Sequence, residues 1–279
     1  RASMIAILLG LTAGIGWGVS DFMAGLAGRR ASPLTVGMFT QFAGLAVVIG
    51  ALVVVAPGGP TMHQLAWGGL AGICVGVGTI GLYHGLSAGS MSLIAPISSV
   101  GVLVPVLAGF LAGERPSSIA TGGMVLVIAG LVVSGGAQGP AGREGFAWAG
   151  LGALGFGFFF VALDRASVDG PLWATTASWT ASMIFLAALV LITRPGNPPR
   201  RGRGLALAMG AGVLAAVATL GFAVATERGL LSLIAVLSSL YPAVTLALAQ
   251  AMLGERLGRF QWAGVLTVLA GVGAIIGGA

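Results

Sequence analysis

The sequence predicts an all-α integral membrane protein, with ten transmembrane helices forming two inverted five-helix repeats around a central cavity. Three observations predict it. Charged residues make up 7% of the chain and hydrophobic residues 57%, whereas soluble domains carry about 25% charged residues and need them at the surface. No Asp, Glu, Lys or Arg occurs between Arg30 and Glu114, a run several times the roughly 20 residues one helix needs to cross hydrocarbon. Finally, the chain partly overlays itself when shifted by 140 or 141 positions.

The spans follow in order. The first, 4–27, is predicted to be a retained helix and not a cleaved leader, because Arg29-Arg30 and a second apolar run follow it. The second, 33–56, starts at Pro33 and stops at Pro57-Gly58-Gly59-Pro60. The third, 65–87, ends in Ser87-Ala88-Gly89-Ser90, the fourth covers 91–113, and the fifth covers 117–136. A polar linker, 137–144, separates the predicted repeats 1–136 and 145–279. The second repeat places spans at 145–164, 171–193, 204–226, 231–253 and 260–278. The runs are too long, and alternate too little, for β-barrel strands. Pro96, Pro105 and Pro242 fall inside spans, where each removes a backbone hydrogen bond and bends its helix.

The overlay is specific. Gly89-Ser90-Met91-Ser92-Leu93-Ile94-Ala95 meets Gly229-Leu230-Leu231-Ser232-Leu233-Ile234-Ala235, and Ser98-Ser99 meets Ser238-Ser239. One residue later in offset, Gly113-Glu114-Arg115 meets Gly254-Glu255-Arg256, Gly123 meets Gly264, and Gly130 meets Gly271. Five helices per unit is an odd number, so the second unit enters from the opposite side. That arrangement is the inverted repeat of alternating-access transporters, whose site lies at the repeat interface.

Orientation follows from arginine, since the chain has no lysine. Loops after spans one, five, seven and nine hold nine arginines, and the opposite set holds three. The arginine-rich set is therefore predicted to be cytoplasmic, with both termini outside. The expected location is the cell inner membrane, as a multi-pass protein. A single cysteine, Cys74, excludes an intrachain disulfide and a zinc cluster. The six-charge basic excess is scattered between apolar runs and does not point to nucleic acid. The expected partners are membrane lipid and a small-molecule substrate, with no cofactor, no metal and a monomer sufficing.

These features resemble the EamA-type drug/metabolite transporter superfamily. Two five-helix units, each closing with a Gly-Glu-Arg turn and a glycine-rich last helix, carry the resemblance over nearly the whole chain. It implies a ten-helix exporter of amino acids and other metabolites, most like the aromatic amino acid exporters of the YddG type. The first unit departs from the pattern where Gly101 stands in place of the proline that Pro242 supplies in the second.

Candidate substrate-binding residues come from spans one, three, four, six and nine. Gly10, Gly14, Trp17 and Asp21 share one face of span one. Span three supplies Thr79, Tyr83 and His84, span four Ser98 and Ser99, span six Phe158 and Phe159 beside Phe160, and span nine Ser238, Ser239 and Tyr241. The paired serines either hydrogen-bond a substrate or cap carbonyls freed by proline. In the overlay Trp17 meets Phe158, so the two are expected to face each other across the cavity. Asp21 and His84 are candidate proton or polar switches, as ionisable residues within spans are costly. Glu114, Glu144, Asp164, Asp169, Glu227 and Glu255 fall at span ends and read as solvated. Trp67, Trp148 and Trp262 read as interfacial belt residues, and glycine triplets such as Gly68, Gly72 and Gly76 as close-packing seams.

The leading expectation is export of small metabolites, amino acids and aromatic ones among them, by alternating access. A sugar-phosphate or nucleotide-sugar transporter would need basic residues within the spans, which the sequence lacks. A multidrug transporter of the same architecture remains an alternative. An intramembrane enzyme would need convergent His, Asp, Glu or metal ligands, and the chain has two histidines.

Overall fold

The computed structural model describes residues 3–29, 31–88, 100–135, 143–196, 202–253 and 258–278. Among them there are helices and no strands. The helices are α1 (Met4–Gly28), α2 (Pro33–Val55), α3 (Met62–Ala88), α4 (Leu103–Leu111), α5 (Ser118–Gly135), α6 (Arg143–Ser167), α7 (Pro171–Thr193), α8 (Arg203–Thr226), α9 (Leu231–Ser238), α10 (Tyr241–Leu253) and α11 (Arg259–Gly278). Among the described residues eight apolar segments are long enough to cross a membrane, α9 and α10 counting as one, and Val100–Leu111 and Ser118–Val133 are shorter apolar helices. The protein is a multi-pass membrane protein. Its outward surface carries large apolar side chains such as Val54, Leu111 and Ile192, as a lipid-facing surface requires.

The local signals act as expected at several ends. Ser3 accepts from the amide of Ala6 at 3.2 Å and caps α1. Pro33 and Pro171 occupy the first turns of α2 and α7, where a missing N–H costs nothing. These two helices also end alike. Ala56 and Arg194 both adopt a left-handed conformation, with φ of 44°, and close the last turn onto Leu52 and Val190.

The predicted ninth span is not one helix. It breaks at Ser239-Leu240 into α9 and α10. Pro242 has no N–H to return to the carbonyl of Ser238, and the backbone tightens there, with Ser239 bonding back to both Ala235 and Val236. The freed Ser238 carbonyl faces Gly14 of α1, where an added Cβ would lie 2.8 Å from it. In the predicted fourth span, a 3-10 turn at Val100–Val102 precedes α4. Residues 91–99 of that span lie outside the described residues.

The main packing joins the first half of the chain to the second. Helix α1 lies on α8, α9 and α10, while α3 lies on α6 and α7. Helix α2 packs on α7 and α8, α4 on α6 and α9, and α5 on α11. Exchanging α1 with α6, α2 with α7, α3 with α8, α4 with α9–α10 and α5 with α11 maps these contacts onto one another. The α5–α11 crossing shows the same exchange at single residues. A Cβ on Gly123 would come 2.6 Å from the Gly271 carbonyl, and one on Gly130 would come 2.7 Å from the Gly264 carbonyl. In lipid the apolar solvent gives helices no reason to associate, so such backbone-to-backbone contact supplies the attraction.

Three hydrogen bonds tie the halves together at the end where α3 starts and α6 stops. Gln64 donates to the carbonyls of Asp169 and Gly170 at 2.9 and 3.1 Å, and Asp169 accepts from the Thr61 hydroxyl. Glu114 was expected to be a solvated end and is not one. Its carboxylate accepts from the amides of Leu231 and Ser232 and caps α9. The turn that delivers it uses Gly113 at φ 92°, a conformation glycine reaches without a Cβ clash.

Candidate functional site

A cavity of about 150 Å³ lies between the halves. That is room for roughly ten water-sized probes, the scale of a small metabolite. Its walls come from α1, α2, α3, α6, α7, α8 and the first residue of α10. On α1, α2 and α3 the lining positions lie toward the ends that meet the arginine-bearing loop 29–32 and the start of α6: Trp17 to Ala24, Gly37 to Gln41, and Val75 to Leu82.

Rings close the other end. Trp17 lies 6.2 Å from Phe159 and 5.6 Å from Phe160, measured between ring centroids. Phe222 completes the cluster at 5.8 Å from Trp17 and 5.0 Å from Phe160. All pairs are tilted or edge-to-face, the geometry aromatic quadrupoles favour. The indole N–H of Trp17 donates to Thr219 at 3.3 Å, which fixes the ring's rotation.

Most wall hydroxyls are committed to helix carbonyls. Ser20 donates to Ala211 at 2.9 Å, Thr40 to Ala208 at 3.2 Å, and Thr79 to Val75 at 2.8 Å. Gln41 donates to the Ser182 hydroxyl at 2.8 Å, and its carbonyl oxygen is buried without a hydrogen-bond partner. Asp21 is the exception in charge. It lines the cavity, its side chain is exposed there, and among the described residues nothing bonds or pairs with it. Among the described residues no arginine or histidine lines the cavity. Among the described residues no cluster of three or more His, Cys, Asp or Glu could hold a metal.

The sequence-derived candidates divide sharply. Trp17, Asp21, Thr79, Phe159 and Tyr241 line the cavity. Phe158 does not: it is 52% exposed on the outer face of α6. One residue is a rotation of about 100° on a helix, so Phe159 and Phe160, with Phe156 one turn earlier, point inward in its place. Trp17 therefore meets Phe159 and Phe160, not Phe158. Ser238 and Ser239 are buried away from the cavity. Ser238 donates to the Gly10 carbonyl at 3.1 Å, and Ser239 donates to Ala235 at 2.7 Å. Ser238 thus serves a carbonyl of α1 and Ser239 one of its own helix, and neither carbonyl is the one that Pro242 frees. Ser98 and Ser99 lie outside the described residues. Tyr83 and His84 fall at the end of α3, where only the backbone is described.

Sequence reasoning missed Gln41, Ser178, Trp179, Ser182 and Thr219, all on the wall. A signal existed. Gln41 is a hydrogen-bonding amide in an otherwise apolar span, and Ser178 and Ser182 sit four apart on one face of α7. Two other acids, Asp164 and Glu227, lie at helix ends and do not line the cavity. Asp164 lies beside Thr226, Arg165 and Glu114. Glu227, just past α8, has its carboxyl pushed up by burial and pulled back by Arg228.

Comparison with known proteins agrees with this architecture. The profile of the EamA-like transporter family matches residues 4–136 and again 143–277. A solved structure described only as the crystal structure of a protein has the same fold, with a TM-score of 0.80 at 20% identity, over 96% of this chain and 95% of the other. No curated protein matches the chain.

Proposed function

Because the chain belongs to the EamA-like transporter family, we propose that it exports small metabolites with a flat apolar group, aromatic amino acids among them, across the cell inner membrane. The observation that carries this reading is the cavity itself: ring-lined, sized for a small solute, and stopped at one end by Trp17, Phe159 and Phe160. The arginine counts put its other end on the cytoplasmic side. Residues 1–136 and 145–279 act as two inverted five-helix units joined by 137–144; ten spans bring both termini to one side, and the arginine counts favour the outside. Rocking of the units about the interface exposes the cavity to each side in turn. The exchange of packing partners between halves supports it.

A phosphate-bearing substrate is disfavoured, since among the described residues no basic side chain lines the cavity. The test is counterflow of radiolabelled amino acids into proteoliposomes containing only this protein, with and without a pH gradient. Accumulation of phenylalanine above protein-free vesicles is expected. Vesicles that exchange no amino acid would remove the reading.

A further inference from the structure

Resting on the transporter reading, we infer that the cavity selects for positive charge: its preferred solute is a flat aromatic or apolar body carrying an ammonium group, and it rejects anions. Asp21 is the only acidic or basic residue on the described wall, which the phenol of Tyr241 also lines. Its carboxylate reaches the cavity with no hydrogen-bond or ion-pair partner among the described residues. The neighbouring hydroxyls of Ser20 and Thr40 give their protons to helix carbonyls, so they are not offered to Asp21 or to a bound anion. One of the two Gln41 amide N–H groups goes to Ser182, and its carbonyl oxygen is an acceptor without a partner. Trp17 has already given its N–H to Thr219, leaving its π-face.

The wall therefore offers a cation a carboxylate and an unpartnered acceptor oxygen, and among the described residues it offers an anion no positive charge. A carboxylate inside a narrow apolar-walled cavity focuses a negative potential there, and its attraction for a cation is stronger than it would be in bulk water. An indole face adds a second attraction for the same charge. A zwitterion gains from its ammonium and loses at its carboxylate, so aromatic amino acids fall between the two extremes.

The experiment measures equilibrium binding of three permanently distinct probes to the purified protein: phenyltrimethylammonium, phenylalanine and 3-phenylpropionate. The cation should bind tightest and the anion at least about tenfold weaker, the scale of one charge contact in a partly wet site. Asp21→Asn should shrink that ratio about tenfold, and Asp21→Glu should largely keep it. The ranking in the unaltered protein stands without any variant. Equal binding of cation and anion, an unchanged ratio in Asp21→Asn, or no binding of any probe overturns the inference. Flux in proteoliposomes is read separately. Charge-ordered binding without flux keeps this inference and removes the transporter reading, whereas flux with charge-blind binding does the reverse.

Discussion

The carboxylate of Glu114 accepts the amide proton of Leu231 at 2.6 Å, joining a turn in the first half of the chain to the first residue of α9 in the second. Its other oxygen takes the next amide, at 3.0 Å. A helix start presents unpaired N–H groups and a partial positive charge, and within a membrane protein few other acceptors are at hand. Glu114→Ala should cost about 2–3 kcal/mol of stability, as charge-assisted hydrogen bonds do. Glu114→Gln should cost less, keeping one acceptor. Midpoints of unfolding in mixed detergent micelles check this, and an unchanged midpoint for Glu114→Ala would contradict the cap.

Glycine contacts between backbones should be separable from glycines that touch nothing. Gly123→Ala pushes a methyl into the Gly271 carbonyl, whereas a Cβ on Gly122, one residue away, meets nothing within 4 Å. The first should lose roughly 1–3 kcal/mol through overpacking. The second should be neutral or gain roughly 0.5–1 kcal/mol, as alanine does over glycine in a helix. Melting both variants side by side decides it. Equal effects would mean that α5 and α11 do not meet where described.

Ser238→Ala and Ser239→Ala should lower stability, by about 0.5–1.5 kcal/mol each, and leave substrate affinity alone. Both hydroxyls serve carbonyls of α1 and α9 and neither reaches the cavity. Titrating phenylalanine into each variant after confirming its melt is the check. A weakened affinity with a normal melt would return these serines to the binding site.

Trp17→Ala should reduce phenylalanine export by several-fold to about tenfold, given that an aromatic pair contributes about 0.5–1.5 kcal/mol beyond area and Trp17 makes three. Threonine export should fall less, and Trp17→Phe should keep most activity. Efflux normalised to protein in the membrane distinguishes recognition from packing: equal loss for both amino acids would assign Trp17 to packing alone.

Gly196→Cys in a Cys74→Ala background tests orientation. Position 196 follows α7, beside Arg194, and has open space for a side chain. An impermeant maleimide should fail to label it in intact cells and label it after permeabilisation. Labelling from outside would invert the assignment without touching the fold.

Much of this fold was legible because hydropathy and length alone decide which segments cross a membrane. Pro242 announced a bend, and the structure has a full break there. What sequence could not show was rotation about each helix axis. Phe158, Phe159 and Phe160 are chemically identical in a row, and only packing against α1 and α8 decides that the first faces outward. The serines failed for a related reason: a hydroxyl beside a proline can serve a carbonyl or a solute, and the choice depends on a neighbour, Gly10, that lies 228 positions away in the chain. Trp17 and Asp21 were legible because they share a glycine-lined face that a lipid-facing helix would have no use for.

The ring cluster at the closed end has an energetic consequence for turnover. Any solute leaving on that side must part Trp17, Phe159, Phe160 and Phe222, whose five ring pairs together contribute roughly 2.5–7.5 kcal/mol beyond their buried area. Energies of that size favour the closed arrangement of the rings in an idle molecule. They are also small enough for thermal opening on the microsecond-to-millisecond scale of helix-bundle motions, and a solute stacked on Trp17 offsets part of them by replacing a lost ring contact with its own.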